Sequence, residues 1–352
     1  MESFEEHDIK VDSNFLNKKG LCGLRNVGNT CFMNTIIQCL SNTLPLLEYM
    51  IEKKYQNHLD MDSDDDKCEI VNQWYIMLRY LWSKNAVYAP ENFVSVVQNL
   101  ARSKDYPEFT GYRQSDSQDF LQFFLETMHN ALSYEVKMEI TGKTMNDFDK
   151  IAYEAYTNFM NFFKNDYSKI IDIFYGQFFT ICKTEKNGKK ETSRSFEPFN
   201  MLLLEIKENK RGKTSLYNCL NNYTKKELID TGDKLEVKYK EVKFWSLPNI
   251  LIIMFKRYDN NLNKLDTHIS FPIENLDMSK YVNGYNRSSY VYDLYAIANH
   301  DSFGGGVGSG HYWASVKNHD NNWYKYNDSI VSTLNIKDLE TNNAYCLFYR
   351  KR

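Results

Sequence analysis

Seven cysteines and seven histidines are the residues of this 352-residue sequence best suited to nucleophilic or metal chemistry. The cysteines (Cys22, Cys31, Cys39, Cys68, Cys182, Cys219 and Cys346) are odd in number, and none falls in a Cys-x-x-Cys pair. That spacing argues against a disulfide framework and against a four-cysteine zinc site. What remains is one thiol in a special neighbourhood, and Cys31 has it. Cys31 follows Gly28-Asn29-Thr30 and opens a segment in which Met33, Ile36, Ile37 and Leu40 share one helical face. Asn29 or Thr30 is expected to cap that helix. In a first helical turn the dipole and the unpaired N–H groups favour a thiolate, and the same N–H groups can hold an oxyanion. Asn26, five residues upstream, adds a side-chain donor. A cysteine at a helix start is more often just a small buried residue, so the choice turns on a partner base.

His311 is the histidine with a suggestive context. It ends the run Asp301–Gly310, which holds five glycines in ten residues, and it leads into the strand-like Tyr312-Trp-Ala-Ser-Val316. A glycine-rich approach to a histidine at a strand start suits the rim of a cleft. A phosphate cradle is disfavoured because no helix follows the glycines. Further on, Asn327-Asp328 follows Trp323–Tyr326, where a neighbouring strand end can present an amide or carboxylate to the imidazole. Nucleophile, base and orienting group are the three parts that thiol catalysis needs. The plainer readings are a flexible hairpin connection for the glycines and a turn dipeptide for Asn327-Asp328.

Stepping outward, residues 1–19 are polar and read as a loose tail, and residues 62–66 read as an acidic surface loop. Helices are expected over 69–82, 90–101, 120–132 and 147–170. The second half turns to strands: 171–181, 201–206, 247–256, 290–298, 323–326 and 345–349, with Asn187-Gly188 as a hairpin turn. Residues 290–298 alternate, with Val291, Asp293, Tyr295 and Ile297 on one face and Tyr292, Leu294 and Ala296 on the other. Helices first and strands later predict an α+β fold, a helical lobe on a largely antiparallel sheet with a cleft between them.

Composition limits the function. Lys plus Arg is 43 and Asp plus Glu is 46, a net charge of −3, which leaves no footprint for general nucleic-acid binding. Hydrophobic residues make up 42%, so disorder throughout is excluded. The N-terminus is acidic where a signal peptide would be basic, and the longest apolar run, Ile250–Phe255, is far too short to span a membrane. A reduced compartment, cytoplasmic or nuclear, is expected.

Residues 20–40, GLCGLRNVGNTCFMNTIIQCL, closely resemble the cysteine box of the ubiquitin-specific proteases. Residues 310–316 (GHYWASV) with 323–329 (WYKYNDS) resemble the histidine box, and 114–121 (QSDSQDFL) resemble the family's Gln-Asp-Ala-x-Glu-Phe-Leu segment. Residues 174–177, 196–199 and 247–258 match in the same order, so the resemblance spans roughly residues 20–350.

The resemblance implies a papain-like cysteine protease fold, with a mainly helical thumb over about 20–170. Fingers and part of the palm would take about 171–246, and the rest of the palm about 247–352. It implies hydrolysis after the C-terminal glycine of ubiquitin, with ubiquitin and ubiquitinated proteins as partners, no cofactor and a monomeric chain. By position Cys31 becomes the nucleophile, His311 the base, Asn327 the third triad residue and Asn26 the oxyanion donor, with Asp328 assisting through a water. Asp116 is expected to meet the arginine-bearing ubiquitin tail, with Gln114, His300, Gly310 and Tyr312 lining the substrate; His300 is not the base. Many family members carry two zinc-binding Cys-x-x-Cys pairs in the fingers. Here Lys186 and Lys189 stand near where the first pair would fall and the second is missing, so no structural zinc and shortened fingers are expected. The alternatives are a protease for another ubiquitin-like modifier and a non-catalytic ubiquitin-binding scaffold.

Overall fold

The computed structural model describes residues 9–59, 66–207, 212–232, 236–259, 261, 263–302 and 310–352. Most of the glycine-rich run before His311 and most of the acidic loop therefore lie outside the described residues, as does the start of the tail. The chain divides into two compact units: Met1–Ser133 with Asn260–Lys264 and Tyr295–Cys346, and Tyr134–Asp259 with Leu265–Leu294 and Leu347–Arg352.

The first unit contains the helices Cys31–Ser41, Leu44–Ile51, Asp66–Leu81, Glu91–Ser103 and Ser117–Leu132. In Glu91–Ser103 the apolar Phe93, Val94, Val97, Leu100 and Ala101 recur at helical spacing, and all five are buried. The helices close on an aromatic core. Trp74 meets Phe124 edge-on with ring centroids 5.0 Å apart, and Phe32 meets Phe120 at 5.7 Å. Such pairs each add about 0.5–1.5 kcal/mol beyond the area they bury. Within this unit the strands run antiparallel in the order Ile330–Leu334, Trp323–Asn327, His311–Lys317 and the end of Val291–Asp301. The helix Cys31–Ser41 packs on the strand His311–Lys317, which places the start of each near the other.

One expectation is corrected here. Residues 9–19 are no loose tail: Ser13–Leu16 form a helical turn, with Asp12 accepting from the Asn14 and Phe15 N–H groups. Leu16 is buried and Phe15 stacks on Trp82, so apolar contact holds the segment. The strand expected over 290–298 forms, as Val291–Asp301. From Leu294 to His300 every residue is buried, because both faces of that strand are covered.

The second unit holds a four-stranded sheet in the order Lys189–Phe199, Gly176–Lys186, Glu236–Ser246 and Glu227–Ile229. Asn187 and Gly188 both take positive φ, and Lys186 pairs with Lys189 across them, so the predicted hairpin turn forms. Phe179, Phe196 and Trp245 of this sheet cluster with Ala152 and Ala155 of the helix Asp147–Phe163. Gly23–Leu24 with Val87–Tyr88, Leu202–Glu205 with Ile250–Lys256, and Lys213–Ser215 with His268–Ser270 pair in parallel. The neighbours in the four-stranded sheet and in the series from Ile330–Leu334 to Val291–Asp301 are antiparallel. Lys169–Phe174 is a separate helix, although strand was expected from residue 171. Ser168 caps it by accepting from the Ile171 N–H, and burial of Ile170, Ile171, Ile173 and Phe174 overrides their β propensity. Cys182 lies in Gly176–Lys186 opposite Ser193 and Lys240, and no metal-ready group of His, Cys, Asp and Glu occurs among the described residues. The architecture is α+β.

Candidate active site

Every residue singled out as a site candidate lies in the first unit. Cys31 begins its helix with Thr30 as N-cap, but no side chain caps it. Thr30 Oγ1 accepts instead from the Val27 N–H at 3.1 Å, and Asn29, at φ +61°, donates its side-chain amide to the Tyr112 carbonyl at 2.8 Å. The capping expectation is thus corrected. Its chemical effect favours the site, because no capping oxygen competes for the first-turn N–H groups.

His311 opens its strand and is half-buried. The Cys31 thiol stands beside it on one side and is the largest influence on its charge. On the other, Nε2 lies 2.5 Å from Asn327 Oδ1. A carbonyl oxygen only accepts, so Nε2 carries a proton and Nδ1 is the nitrogen that faces Cys31. The imidazole is pushed up from 6.5 to about 9. Interaction with the Cys31 thiol is the largest cause; burial opposes it, and the Asn327 bond and electrostatic attraction from Cys31 and Asp328 add to it. A charged imidazolium beside the sulfur is therefore the favoured form at neutral pH.

Asp328, at φ +49°, makes direct bonds to the nucleophile's side of the site. Its Oδ2 accepts from Asn26 Nδ2 at 3.1 Å and its Oδ1 from Asn34 Nδ2 at 2.8 Å. Its backbone oxygen accepts from the Leu24 N–H at 2.9 Å. One turn thereby fixes the loop of Asn26 and the helix of Cys31 together. Asn26 Oδ1 accepts from the Thr30 N–H at 3.0 Å. Its amide plane is held at both ends, with one N–H left over after the bond to Asp328. Asn34 was missed in the sequence. The signal for it was a buried polar residue one turn after the nucleophile.

Two of the expected substrate contacts turn inward. Asp116 caps Ser117–Leu132 by accepting from the Gln118 N–H at 2.7 Å, and its Oδ2 takes the Tyr345 hydroxyl at 2.6 Å. Burial pushes its carboxyl up, against the pull of those two bonds. Glu108 and Asp119, which interact with one another beside Asp116, are exposed acids. Gln114 donates Nε2 to the Gly310 carbonyl at 2.7 Å. Gly310 sits at φ +153°, and a Cβ there would lie 2.3 Å from the Asp301 carbonyl and 2.5 Å from His300 Nε2. Only glycine fits so close beneath the strand start.

His300 is buried and stacks on Tyr312 with centroids 4.2 Å apart. Burial, then the charges of Lys264 and His311, pull its imidazole down to about 4, so it stays neutral and packs. Among the other thiols, burial is the largest cause holding Cys22, Cys39, Cys219 and Cys346 above their ordinary range. Such thiols are poor nucleophiles.

The sequence family described as Ubiquitin carboxyl-terminal hydrolase matches residues 22–349. Ubiquitin carboxyl-terminal hydrolase 2 of Homo sapiens is 31% identical over 345 residues, covering 94% of this chain and 55% of the relative. Ubiquitin carboxyl-terminal hydrolase 21 of Homo sapiens is 28% identical over 379 residues, covering 99% and 65%. The chain thus spans a little over half to about two thirds of the length of these curated relatives. A solved structure, the Ubp8 SAGA DUB module bound to monoubiquitin, superposes with a TM-score of 0.70 over 96% of this chain and 70% of that one, at 23% identity, and so shares the fold. Family match, fold and the Cys31–His311–Asn327 geometry agree, and the chain belongs to the ubiquitin carboxyl-terminal hydrolase family.

Proposed function

We propose that this chain is a deubiquitinating thiol hydrolase that cleaves the peptide or isopeptide bond after the C-terminal glycine of ubiquitin. The juxtaposition of Cys31 with His311, and the bond of His311 to Asn327, carry the reading. The Cys31 sulfur attacks the glycine carbonyl carbon. The oxygen takes the negative charge and is met by the spare Asn26 N–H and the uncapped N–H groups of the Cys31 helix. His311 passes its proton to the leaving amine as the C–N bond breaks, which leaves a thioester on Cys31. His311, now neutral, draws a proton from water; the resulting hydroxide attacks the thioester and Cys31 leaves as thiolate. Glu108 and Asp119 are the surface acids suited to a basic ubiquitin tail. A monomer in a reducing compartment, cytoplasm or nucleus, fits a mechanism that needs a free thiol.

A ubiquitin C-terminal propargylamide or vinyl sulfone, added under reducing conditions, is expected to form an adduct at Cys31. Folded wild-type protein that stays unlabelled would overturn the reading. Faster labelling by a probe built on another ubiquitin-like modifier would reassign the substrate.

The pH profile gives a second test. His311 acts as an acid in the first step, and its proton is held to about 9. The value of kcat/KM is therefore expected to persist through neutral pH and to fall as pH rises through about 9. Asn327→Ala withdraws one of the contacts that favour the charged imidazole, so the alkaline limb should move to lower pH. Asn327→Asp adds a negative charge and should move it higher. A limb that ignores both substitutions would assign it to another group.

A further inference from the structure

The loop between the helices Glu91–Ser103 and Ser117–Leu132 touches both arms of the site. On the nucleophile side, the Tyr112 carbonyl accepts from Asn29 Nδ2 at 2.8 Å, two residues before Cys31. The Tyr112 ring also lies against Gly28, which sits at φ +106°; a Cβ there would fall 2.3 Å from Tyr112 Cδ1. On the base side, Gln114 Nε2 donates to the Gly310 carbonyl at 2.7 Å, one residue before His311. The loop is itself anchored. Gln98 donates to the Gly111 carbonyl at 3.2 Å, Ser115 donates to the Glu108 carbonyl at 2.7 Å, and Asp116 caps the next helix. Tyr112 is 73% exposed, so burial in the core does not account for its position.

We propose that Tyr112 and Gln114 are positioning residues, a clamp that holds the nucleophile's loop and the base's strand at the spacing thiol catalysis needs. Gln114 is thereby moved from a substrate contact to a support of the pair, and the activity readout rests on the hydrolase reading above. Holding reacting groups in place is a large part of enzymatic rate, and an error of about 1 Å can cost about a hundredfold. Asn29 and Gly310 are gripped within two residues of the groups that react, so slack in either bond passes directly to the sulfur–imidazole distance. That distance also sets the proton affinity of His311, whose largest support is Cys31. A merely structural role would leave the pH profile where it is.

The test uses Gln114→Ala, the isosteric Gln114→Glu, Tyr112→Ala and Tyr112→Phe in the full chain. With a fluorogenic ubiquitin C-terminal amide, both Gln114 variants and Tyr112→Ala are expected to lower kcat about tenfold. KM should stay within about twofold, and in Gln114→Ala and Tyr112→Ala the alkaline limb should move to lower pH. Tyr112→Phe keeps the ring and the backbone carbonyl and should behave as wild type. The double variant should lose less than the product of the single losses, since both contacts act through one loop. A raised KM with kcat unchanged would overturn the clamp in favour of substrate contact, and unchanged kinetics would overturn it outright. Alkylation of Cys31 by iodoacetamide, followed on its own peptide, reads the pair without ubiquitin. It should slow severalfold at neutral pH in the Gln114 variants. If wild type ignores ubiquitin probes while the variants still slow alkylation, the hydrolase reading falls and the clamp stands. If wild type is captured and the variants alkylate at its rate, the clamp alone falls.

Discussion

Cys31→Ala is expected to abolish both turnover of a ubiquitin amide and capture by a ubiquitin electrophile, a loss of about 10⁵-fold or more. The loss is this large because the sulfur forms the covalent intermediate, and no other described thiol has its partners. Among the described thiols, Cys31 is the one that acts on His311, and it stands at the start of a helix whose first N–H groups meet no capping side chain. Cys39, two turns along the same helix, is fully enclosed and its thiol is pushed well up by burial. Cys39→Ala should therefore retain capture, with only the stability loss of a small core cavity. Mass spectrometry of the trapped adduct distinguishes the two. Adduct formation in Cys31→Ala would remove the nucleophile assignment, and loss of capture in folded Cys39→Ala would remove the contrast between the thiols.

Asn26→Ala is expected to lower kcat by about 10²–10³-fold with little change in KM, the usual consequence of deleting one oxyanion donor. The size rests on preorganisation. Asn26 is exposed, yet its amide is tied to the Thr30 N–H and to Asp328 Oδ2. Asp328→Ala should approach the same loss without touching the substrate, because it frees the Asn26 amide to rotate and releases Asn34 from the turn. The two variants part in their pH profiles. Asp328 also lends its charge to the imidazolium. Its removal should move the alkaline limb below about 9, whereas Asn26→Ala should leave the limb in place. An Asp328→Ala enzyme with wild-type kcat would show that the turn does not orient the donor.

Much of the site is legible in the chain before any fold is known. Cys31 is marked by a helix start, and His311 by a run of glycines ending on a strand. Both marks are local, because dipoles, caps and backbone freedom act over a few residues. The amphipathic helices are legible for the same reason, as is the Asn187-Gly188 turn. The rest is tertiary in origin. Ile171, Ile173 and Phe174 read as strand, yet a serine cap and burial made them helix. The alternation over 290–298 does not reveal that both faces of that strand are covered along most of its length.

The commitments of the polar side chains are different in kind. Asn26 meets Asp328 across 302 residues of sequence, Gln114 meets Gly310 across 196, and Tyr345 claims Asp116 across 229. Residue order alone supplies the chemical inventory: a thiol, an imidazole, amides and carboxylates in an order shared with one family. The folded chain settles which lone pair and which N–H each of them spends on another residue. A hydrogen bond is made or lost within a few tenths of an ångström, and at this site that placement is set by segments hundreds of residues apart.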